Sequence, residues 1–499
     1  MTEPLSIEDA QDMIKFQVTD YKQLSSIGKL DLQRDIAISI ASFFHIITTF
    51  DTGTIYFYEK GVYRPDAKKR IHSLISYLLD KTQSTSCVTE VVQKVEGMTM
   101  KERTIFTTDP DEICVENGIL NTKTRTLEPH THLKYHIRKF PINYDKDATC
   151  PTIDKFINEI AASAFQQEEN AKITQLYEIA GWFLTKGYYP QKAIALIGQG
   201  QNGKSVMLNL LKAFIGDTNF ASQTLQSLEE DKFAVAELYG KIANLCSDLP
   251  SNEQTTTGTF KQLTGEDTIN GNMKFKQTPI QFKNEAKLIF SANEMPLTSD
   301  DRKAFWRRWL FLKFEAEFPE AATKTDPKMI DKLVTPQELS GFLNKALDGL
   351  NRLREQKQFT ATPTIEETKE IHRSVSNPII GFIEEMLEIG TEDDFLSRKE
   401  MHSIYTLYCA HHDIMILRGT MTTQVKFTQD FKKLIHKEEY GFTWIKDDSQ
   451  RSITEGEITT TERGYRNVKR KKTEEKHEDE LEENIEMDEE TQKLTGKEL

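Results

Sequence analysis

The chain has 499 residues, 37% apolar and 9% aromatic, enough for about three packed domains. No run approaches the roughly 20 apolar residues of a membrane span, and the acidic opening MTEPLSIEDAQDMIKF excludes a secretory leader, so a cytoplasmic protein without a membrane partner is expected (host cytoplasm if virus- or plasmid-encoded). The net charge of −14 excludes less than it suggests, because twelve acidic and three basic residues lie between Thr473 and Leu499, leaving the rest of the chain close to neutral with local basic runs.

Residues 1–150 read as an amino-terminal α+β domain. DIAISIASFFHIITTF (35–50) has helical spacing, TIYFYEKGVYRP (54–65) reads as two strands around Glu59, Lys60 and Gly61, and KKRIHSLISYLLD (68–80) returns to helix. VENGILNTKTRTLEPH (115–130) predicts a further strand pair. Residues 151–190 are a helical collar or linker, stopped near Gly187; 191–315 are an α/β core; 316–375 are a helical segment with TATPT (360–364) as linker. Residues 376–470 alternate helices with a strand pair around TWIKDDSQRSITEGEI, and 471–499 form an acidic disordered tail. There is no internal repeat. Five scattered cysteines without a CxxC pair fit a reducing compartment. Cys409, His411 and His412 include zinc-type donors but lack the second pair a structural site needs.

The most informative stretch is GQGQNGKS, Gly198 to Ser205. It follows AIALI (193–197), an apolar run of the kind buried on both faces of a parallel sheet. It precedes SVMLNLLKAFIG, which sets Met207, Leu210, Leu211 and Phe214 on one helical face before Gly216. Strand, glycine loop and helix in that order satisfy G-x-x-x-x-G-K-[ST] in its required context. Gly198, Gln199, Gly200, Gln201, Asn202 and Gly203 then supply backbone N–H groups to a phosphate chain. Lys204 places a charge on the β and γ phosphates, and the Ser205 hydroxyl is a Mg²⁺ ligand. The expected cofactors are ATP and Mg²⁺.

Two further strands end in polar residues. GKIANLCSDLP (240–250) closes on Asp248, a candidate metal-side carboxylate or a plain turn aspartate. KLIFSANEMP (287–296) closes on Asn293, at the sheet edge where ligands bind. There an amide can orient water, or it can simply shape a turn ahead of Pro296. DDRKAFWRRWLFLKF (300–314) sets Arg307 and Arg308 after an acidic turn that reads as exposed; in a ring, one of them is placed to reach a neighbour's nucleotide. Between the Asp248 and Asn293 strands, FKQLTGEDTINGNMKFKQTPIQFKN (260–284) predicts a β-hairpin carrying Lys274 and Lys276, either solvated or on DNA phosphates.

In this order and spacing the motifs resemble superfamily-three helicases, in particular the phage- and plasmid-encoded primase/helicase group related to satellite-phage and poxvirus replication proteins. Upstream, ICVENGILNTKTRTLEPH, INYDKDATCPTIDKFINEI and LYEIAGWFLTKG are similar to the domain preceding the helicase in that group. Downstream, FIEEMLEIGTEDDFLSRKEMHSIYTLYCAHH resembles its carboxyl-terminal winged-helix module. The resemblance implies an α/β, P-loop AAA+-like core assembled as a homo-oligomer, a hexameric ring that hydrolyses ATP to move on single-stranded DNA at forked duplexes, usually 3′ to 5′. It assigns Lys204 and Ser205 to the phosphate loop, Asp248 to the metal-side acid and Asn293 to the sensor. Lys274 becomes the hairpin DNA contact and Arg307 or Arg308 the finger. Asp248 lacks the second adjacent acid found in many relatives, which leaves Glu253 as a candidate base. Only about 150 residues precede the helical segment, without paired catalytic aspartates on a strand, so no primer synthesis is expected and a separate primase or polymerase becomes a possible partner.

Two other classes fit parts of the same pattern: an ATPase that loads or remodels proteins at an origin without unwinding, and an origin-binding initiator in which ATP acts as a switch. A small-molecule kinase leaves the hairpin and the paired arginines without a role. The basic run RGYRNVKRKK (463–472) beside the acidic tail reads either as a DNA-phosphate grip for which the tail competes, or as a solvated terminus.

Overall fold

The computed structural model describes residues 24–65, 67–79, 85–106, 109–163, 166–198, 202–250, 256–274, 279–293, 295–296, 298, 300–316, 328–376, 378–411, 424–436, 442–455 and 458–471. It divides into two compact units, Met1–Thr368 and Lys369–Leu499. Among the described residues no helix is long and apolar enough to cross a membrane.

The first unit opens with the helix Ser26–Phe43, whose start is capped by Ser25 Oγ accepting from the Gly28 N–H at 3.1 Å. A helix running to residue 50 is expected from the spacing, but the chain leaves it at Phe43, turns through His45 at φ 44°, and enters the strand Ile47–Thr49. β-Branched Ile47, Thr48 and Thr49 fit a pleated strand better than a helix, and all three are buried there. That strand pairs antiparallel with Ile55–Glu59 and parallel with Met100–Lys101. Lys60 and Gly61, both with positive φ, turn Ile55–Glu59 back into Val62–Arg64, as the sequence suggests. Helices Ala67–Leu79 and Thr85–Met98 complete this subdomain around a core that includes Ile36, Ile40, Phe57, Ile71 and Val91. A second small sheet has three strands, Glu112–Val115, Gly118–Asn121 and Leu127–Glu128, where the sequence suggests two.

Helices Pro151–Ala161, Gln166–Trp182 and Pro336–Gln356 pack together. The wholly buried Glu178 ties them to the segment read as a linker: its carboxylate accepts from the Thr360 N–H at 2.9 Å and the Thr360 hydroxyl at 2.6 Å, with Arg352 Nε 3.5 Å away.

The centre is one parallel sheet of five strands: β1 (Ala193–Ile197), β2 (Phe220–Ala221), β3 (Ala243–Cys246), β4 (Lys287–Ala292) and β5 (Trp309–Lys313). Their spatial order is β5-β1-β4-β3-β2, every pairing parallel. Strands β1, β3 and β4 are buried at every position, which explains the unbroken apolar sequence of β1 and the apolar runs of β3 and β4 around buried Asn244, Lys287 and Ser291. Between β3 and β4 the helix Gly258–Thr264 leads into an antiparallel hairpin, Thr268–Gly271 with Ile280–Lys283.

The second unit has helices Pro378–Met386, Arg398–His411 and Gln424–Ile435 around a core of Phe382, Met401, Tyr405, Phe427, Phe431 and Tyr465. A long hairpin pairs Lys446–Glu455 with Ile458–Arg466, and Phe395–Ser397 adds a third strand. Cys409 lies in the core, its thiol pushed up to about 11 by burial. Residues 472–499, and with them the acidic tail, lie outside the described residues.

Candidate nucleotide site at the carboxyl edge of the sheet

Parallel strands deliver all their carboxyl ends to one edge, and there the glycine loop begins. The Gly198 N–H donates to the Ala292 carbonyl at 3.3 Å, holding the exit of β1 against β4. Gln199, Gly200 and Gln201 lie outside the described residues. Gly203 caps the helix Lys204–Ile215 with φ 84°, a conformation that L side chains resist. A Cβ at Gly203 would also stand 2.4 Å from Ile160 Cγ2, so glycine lets the helix Pro151–Ala161 close over the loop. Asn202, 4% exposed, donates from Nδ2 to the Phe314 carbonyl at 3.0 Å and pins the loop beyond the end of β5.

Lys204 is 5% exposed. Its ammonium donates to the Gly198 carbonyl, to Asn202 Oδ1 at 3.3 Å and to Asn293 Oδ1 at 3.3 Å. All three acceptors are neutral oxygens. A buried ammonium without an opposing charge is costly, and burial pushes its pKa down to about 8. Beside it, Ser205 is exposed in the first helical turn, where N–H groups lack intrahelical partners and the helix dipole favours negative charge. The first turn carries no acidic residue. This donor set fits an anionic phosphate chain, with the Ser205 hydroxyl available to a hard cation.

Asn293 follows β4 directly, with its side chain exposed. Asp248 follows β3 on the adjacent strand; the Leu249 N–H donates to the Ser291 carbonyl at 2.9 Å and keeps this segment alongside β4 as far as the edge. Asp248 is exposed there. The fold therefore brings Asn202, Lys204, Ser205, Asp248 and Asn293 to one edge. Glu253 lies outside the described residues.

Arg307 and Arg308 are elsewhere. They precede β5, and the Ala193 N–H donates to the Arg308 carbonyl at 2.6 Å, so both sit at the amino edge of the sheet. A five-residue strand at ~3.3 Å per residue separates them from the Lys204 edge by roughly 17 Å. Their surroundings also differ. Arg308 is 7% exposed and donates to the Ala304 carbonyl, its pKa lowered by burial and by Arg307. Arg307 is exposed and donates from Nη2 to Gln191 Oε1 at 3.0 Å.

The hairpin strands are shorter than the sequence suggests: the first ends at Gly271, so Lys274 lies in the connection, exposed, and Lys276 lies outside the described residues. One residue that the sequence hid is Asp300, in the turn read as exposed. Its carboxylate is 6% exposed and accepts from Lys261 Nζ at 2.8 Å, Arg302 Nε at 2.7 Å and Arg302 Nη2 at 2.9 Å, and from the Thr257 hydroxyl. Burial alone would raise its pKa, but the Arg302, Lys261 and Thr257 hydrogen bonds hold it well below the usual carboxylate range. Asp300 fastens the helix ahead of the hairpin to the segment after Asn293.

Three segments match described families. Residues 44–162 match "D5 N terminal like", 196–308 match a family of unknown function (DUF5906), and 374–488 match "Poxvirus D5 protein-like". A protein of Acanthamoeba polyphaga mimivirus with a provisional helicase assignment is 32% identical over 130 residues, 25% of this chain and 13% of its own length. The chain thus spans a small part of that relative. Two solved structures of the NrS-1 C-terminal region, both apo, cover 85% of this chain and 96% of their own, at 10% and 12% identity and a TM-score of 0.43 each. The family matches and the mimivirus protein relate segments of this chain to D5-like proteins, poxvirus D5 among them, and to a viral protein of the helicase kind.

Proposed function

We propose that the protein is an ATP-dependent replicative DNA helicase that moves on single-stranded DNA as a ring of identical subunits, serving the replication of a phage, virus, plasmid or integrated mobile element. The observation that carries this reading is the uncompensated Lys204 ammonium among neutral oxygens, within bonding distance of Asn293 at the carboxyl edge. Such a site takes an anion, and the glycine turn with a helix start beside it suits a triphosphate. Lys204 would hold the phosphates, Ser205 and Asp248 would offer oxygens to Mg²⁺, and Asn293 would orient a water. Mg²⁺ supplies charge neutralisation on the phosphates when bound.

In this reading Arg307 or Arg308 acts across a subunit boundary. They are too far from this subunit's Lys204 to serve it, so a finger role requires a neighbour. Lys274 supports a DNA contact, exposed at the end of a hairpin rooted between β3 and β4. The second unit, three helices with a long hairpin, suits a winged-helix DNA-binding role. The similarity to D5-like proteins and to a viral protein of the helicase kind favours the same reading. The polarity (3′ to 5′), the hexamer, contact with forked duplex and a separate primase or polymerase partner belong to the proposal.

The test measures ATP hydrolysis with and without a single-stranded oligonucleotide, and unwinding of a forked duplex, for wild type, Lys204→Ala and Lys274→Ala. A helicase loses both activities in Lys204→Ala and keeps basal hydrolysis but loses unwinding in Lys274→Ala. Oligonucleotide-independent turnover in the wild type, with no unwinding, overturns the reading in favour of a loader or a switch.

A further inference from the structure

A hairpin that pushes on DNA has to be held at its base. Among the described residues the strand Ile280–Lys283 pairs only with Thr268–Gly271, and a two-stranded ribbon is marginally stable alone. Helix Lys232–Ala236 packs on the partner strand, where the Asn272 N–H donates to the Lys232 carbonyl at 3.0 Å, and Ile280–Lys283 itself is also held by residues far upstream. Arg103, in the 3₁₀ turn Arg103–Phe106, donates from Nη2 to the backbone carbonyl of Gln281, 178 residues along the chain. Its Nη1 stands 3.1 Å from Asp51 Oδ2, and its guanidinium lies 5.1 Å from the Tyr239 ring centroid. The Tyr239 ring meets Phe282 edge-on with centroids 5.5 Å apart, and Tyr239 shares a side-chain hydrogen bond with Tyr56. Two links therefore run from the amino-terminal sheet to one hairpin strand: a guanidinium on its open carbonyl and an aromatic contact on its buried side.

We infer that Arg103 is a positioning residue for the hairpin: through the Gln281 carbonyl the amino-terminal subdomain fixes strand Ile280–Lys283, and with it the placement of Lys274 toward a DNA strand. The inference rests on the reading of Lys274 as a DNA contact. An unpaired strand carbonyl is open to water; a guanidinium anchored by Asp51 replaces that water with a directed, charge-assisted bond and ties hairpin motion to motion of the amino-terminal subdomain.

The experiment uses the full chain as wild type, Arg103→Ala, Arg103→Lys and Asp51→Asn. Amide hydrogen exchange is followed for the hairpin strands and, as internal reference, for β1; steady-state ATP hydrolysis is titrated with a single-stranded oligonucleotide. In Arg103→Ala, exchange at 268–271 and 280–283 rises about tenfold with β1 unchanged. The half-saturating oligonucleotide concentration rises about tenfold at unaltered basal turnover. Arg103→Lys and Asp51→Asn, which keep a donor on the carbonyl, fall between. Unchanged hairpin exchange in Arg103→Ala overturns the inference, as does faster exchange with unchanged oligonucleotide dependence, which reduces Arg103 to a structural contact. A wild type that ignores oligonucleotide altogether instead overturns the DNA reading on which the inference stands.

Discussion

Lys204 Nζ and Asn293 Oδ1 stand 3.3 Å apart, although 89 residues separate them in sequence. The pairing of β1 with β4 prepares the meeting: Ile197 is in register with Ala292, Asn293 follows β4 directly, and the loop after β1 returns to the same edge with Lys204 at the start of its helix. The lysine carries a charge that suits ground-state binding of phosphate, whereas the amide is neutral and suits orienting a water. Asn293→Ala is therefore expected to change nucleotide affinity less than threefold and lower hydrolysis about a hundredfold, within the range of a lost positioned polar group. Lys204→Ala is expected to lose binding and turnover together. Equilibrium binding of a fluorescent nucleotide beside single-turnover hydrolysis separates the two, and equal loss of affinity in both variants contradicts the division of roles.

The Lys204 pKa, pushed down to about 8 by burial, gives nucleotide binding a pH signature. A bound triphosphate supplies the missing opposite charge and raises that pKa. Above pH 8 the free protein has lost the proton that the complex retains, so binding takes one up and affinity falls up to about tenfold per pH unit. Stability of the nucleotide-free fold moves the other way. The folded pKa is depressed below the ordinary lysine value, so between about 8 and ~10.4 the unfolded chain binds more protons and stability rises with pH. Calorimetric titration with ADP from pH 7.2 to 9.5 checks the first slope, and Lys204→Met is expected to flatten it.

Asp300 offers a structural prediction for the segment between Asn293 and β5. Lys261 is 19% and Asp300 6% exposed at the side chain, so Asp300→Asn leaves a partly buried ammonium without its counter-charge. A loss on the order of 3 kcal/mol follows for the unit containing the sheet, read as a drop of several degrees in its calorimetric transition. The native carboxyl lies below its unfolded value, so the stabilisation is fully present above the unfolded pKa of ~3.9 and is lost as the pH falls through the native one. The gap between wild type and Asp300→Asn should accordingly close on acidification, and a gap independent of pH contradicts the assignment.

How far the sequence reveals this arrangement depends on the range of the interaction. AIALI and KLIFSA announce buried parallel strands because both faces are covered, and the loop after AIALI is legible because local backbone geometry dictates its glycines. The first helix is overextended in the sequence reading because IASFFHIITT contains no helix breaker, and only pairing with Ile55–Glu59 shows that its end is strand. Asp300 looks like a solvated turn acid because Thr257 and Lys261, the groups that bury it, lie 43 and 39 residues upstream. Arg103 shows no local pattern, since its acceptor is a backbone carbonyl. Arg307 and Arg308 are adjacent letters whose surroundings part only when β5 starts and buries one of them.

That last difference makes subunit complementation decisive. Exposed Arg307 and buried Arg308 both lie at the amino edge, on the far side of the sheet from Lys204. If the finger acts across a boundary, Arg307→Ala damages the neighbour's site and leaves its own phosphate loop intact, while Lys204→Ala does the reverse. Each variant alone is expected to be nearly inactive, since a finger contributes on the order of 10³ in rate. Mixed before assembly in equal amounts, they restore interfaces in which an intact Lys204 faces an intact Arg307. In a head-to-tail ring of random composition about a quarter of the boundaries are of that kind, so the mixture should recover up to about a quarter of wild-type hydrolysis. Arg308→Ala is expected to act differently: its guanidinium is committed to the Ala304 carbonyl, so the change lowers the thermal transition as well as turnover. Recovery with Arg308→Ala and none with Arg307→Ala reverses the assignment of the finger. No recovery with either, from subunits shown to co-assemble, removes the arginines from the site altogether.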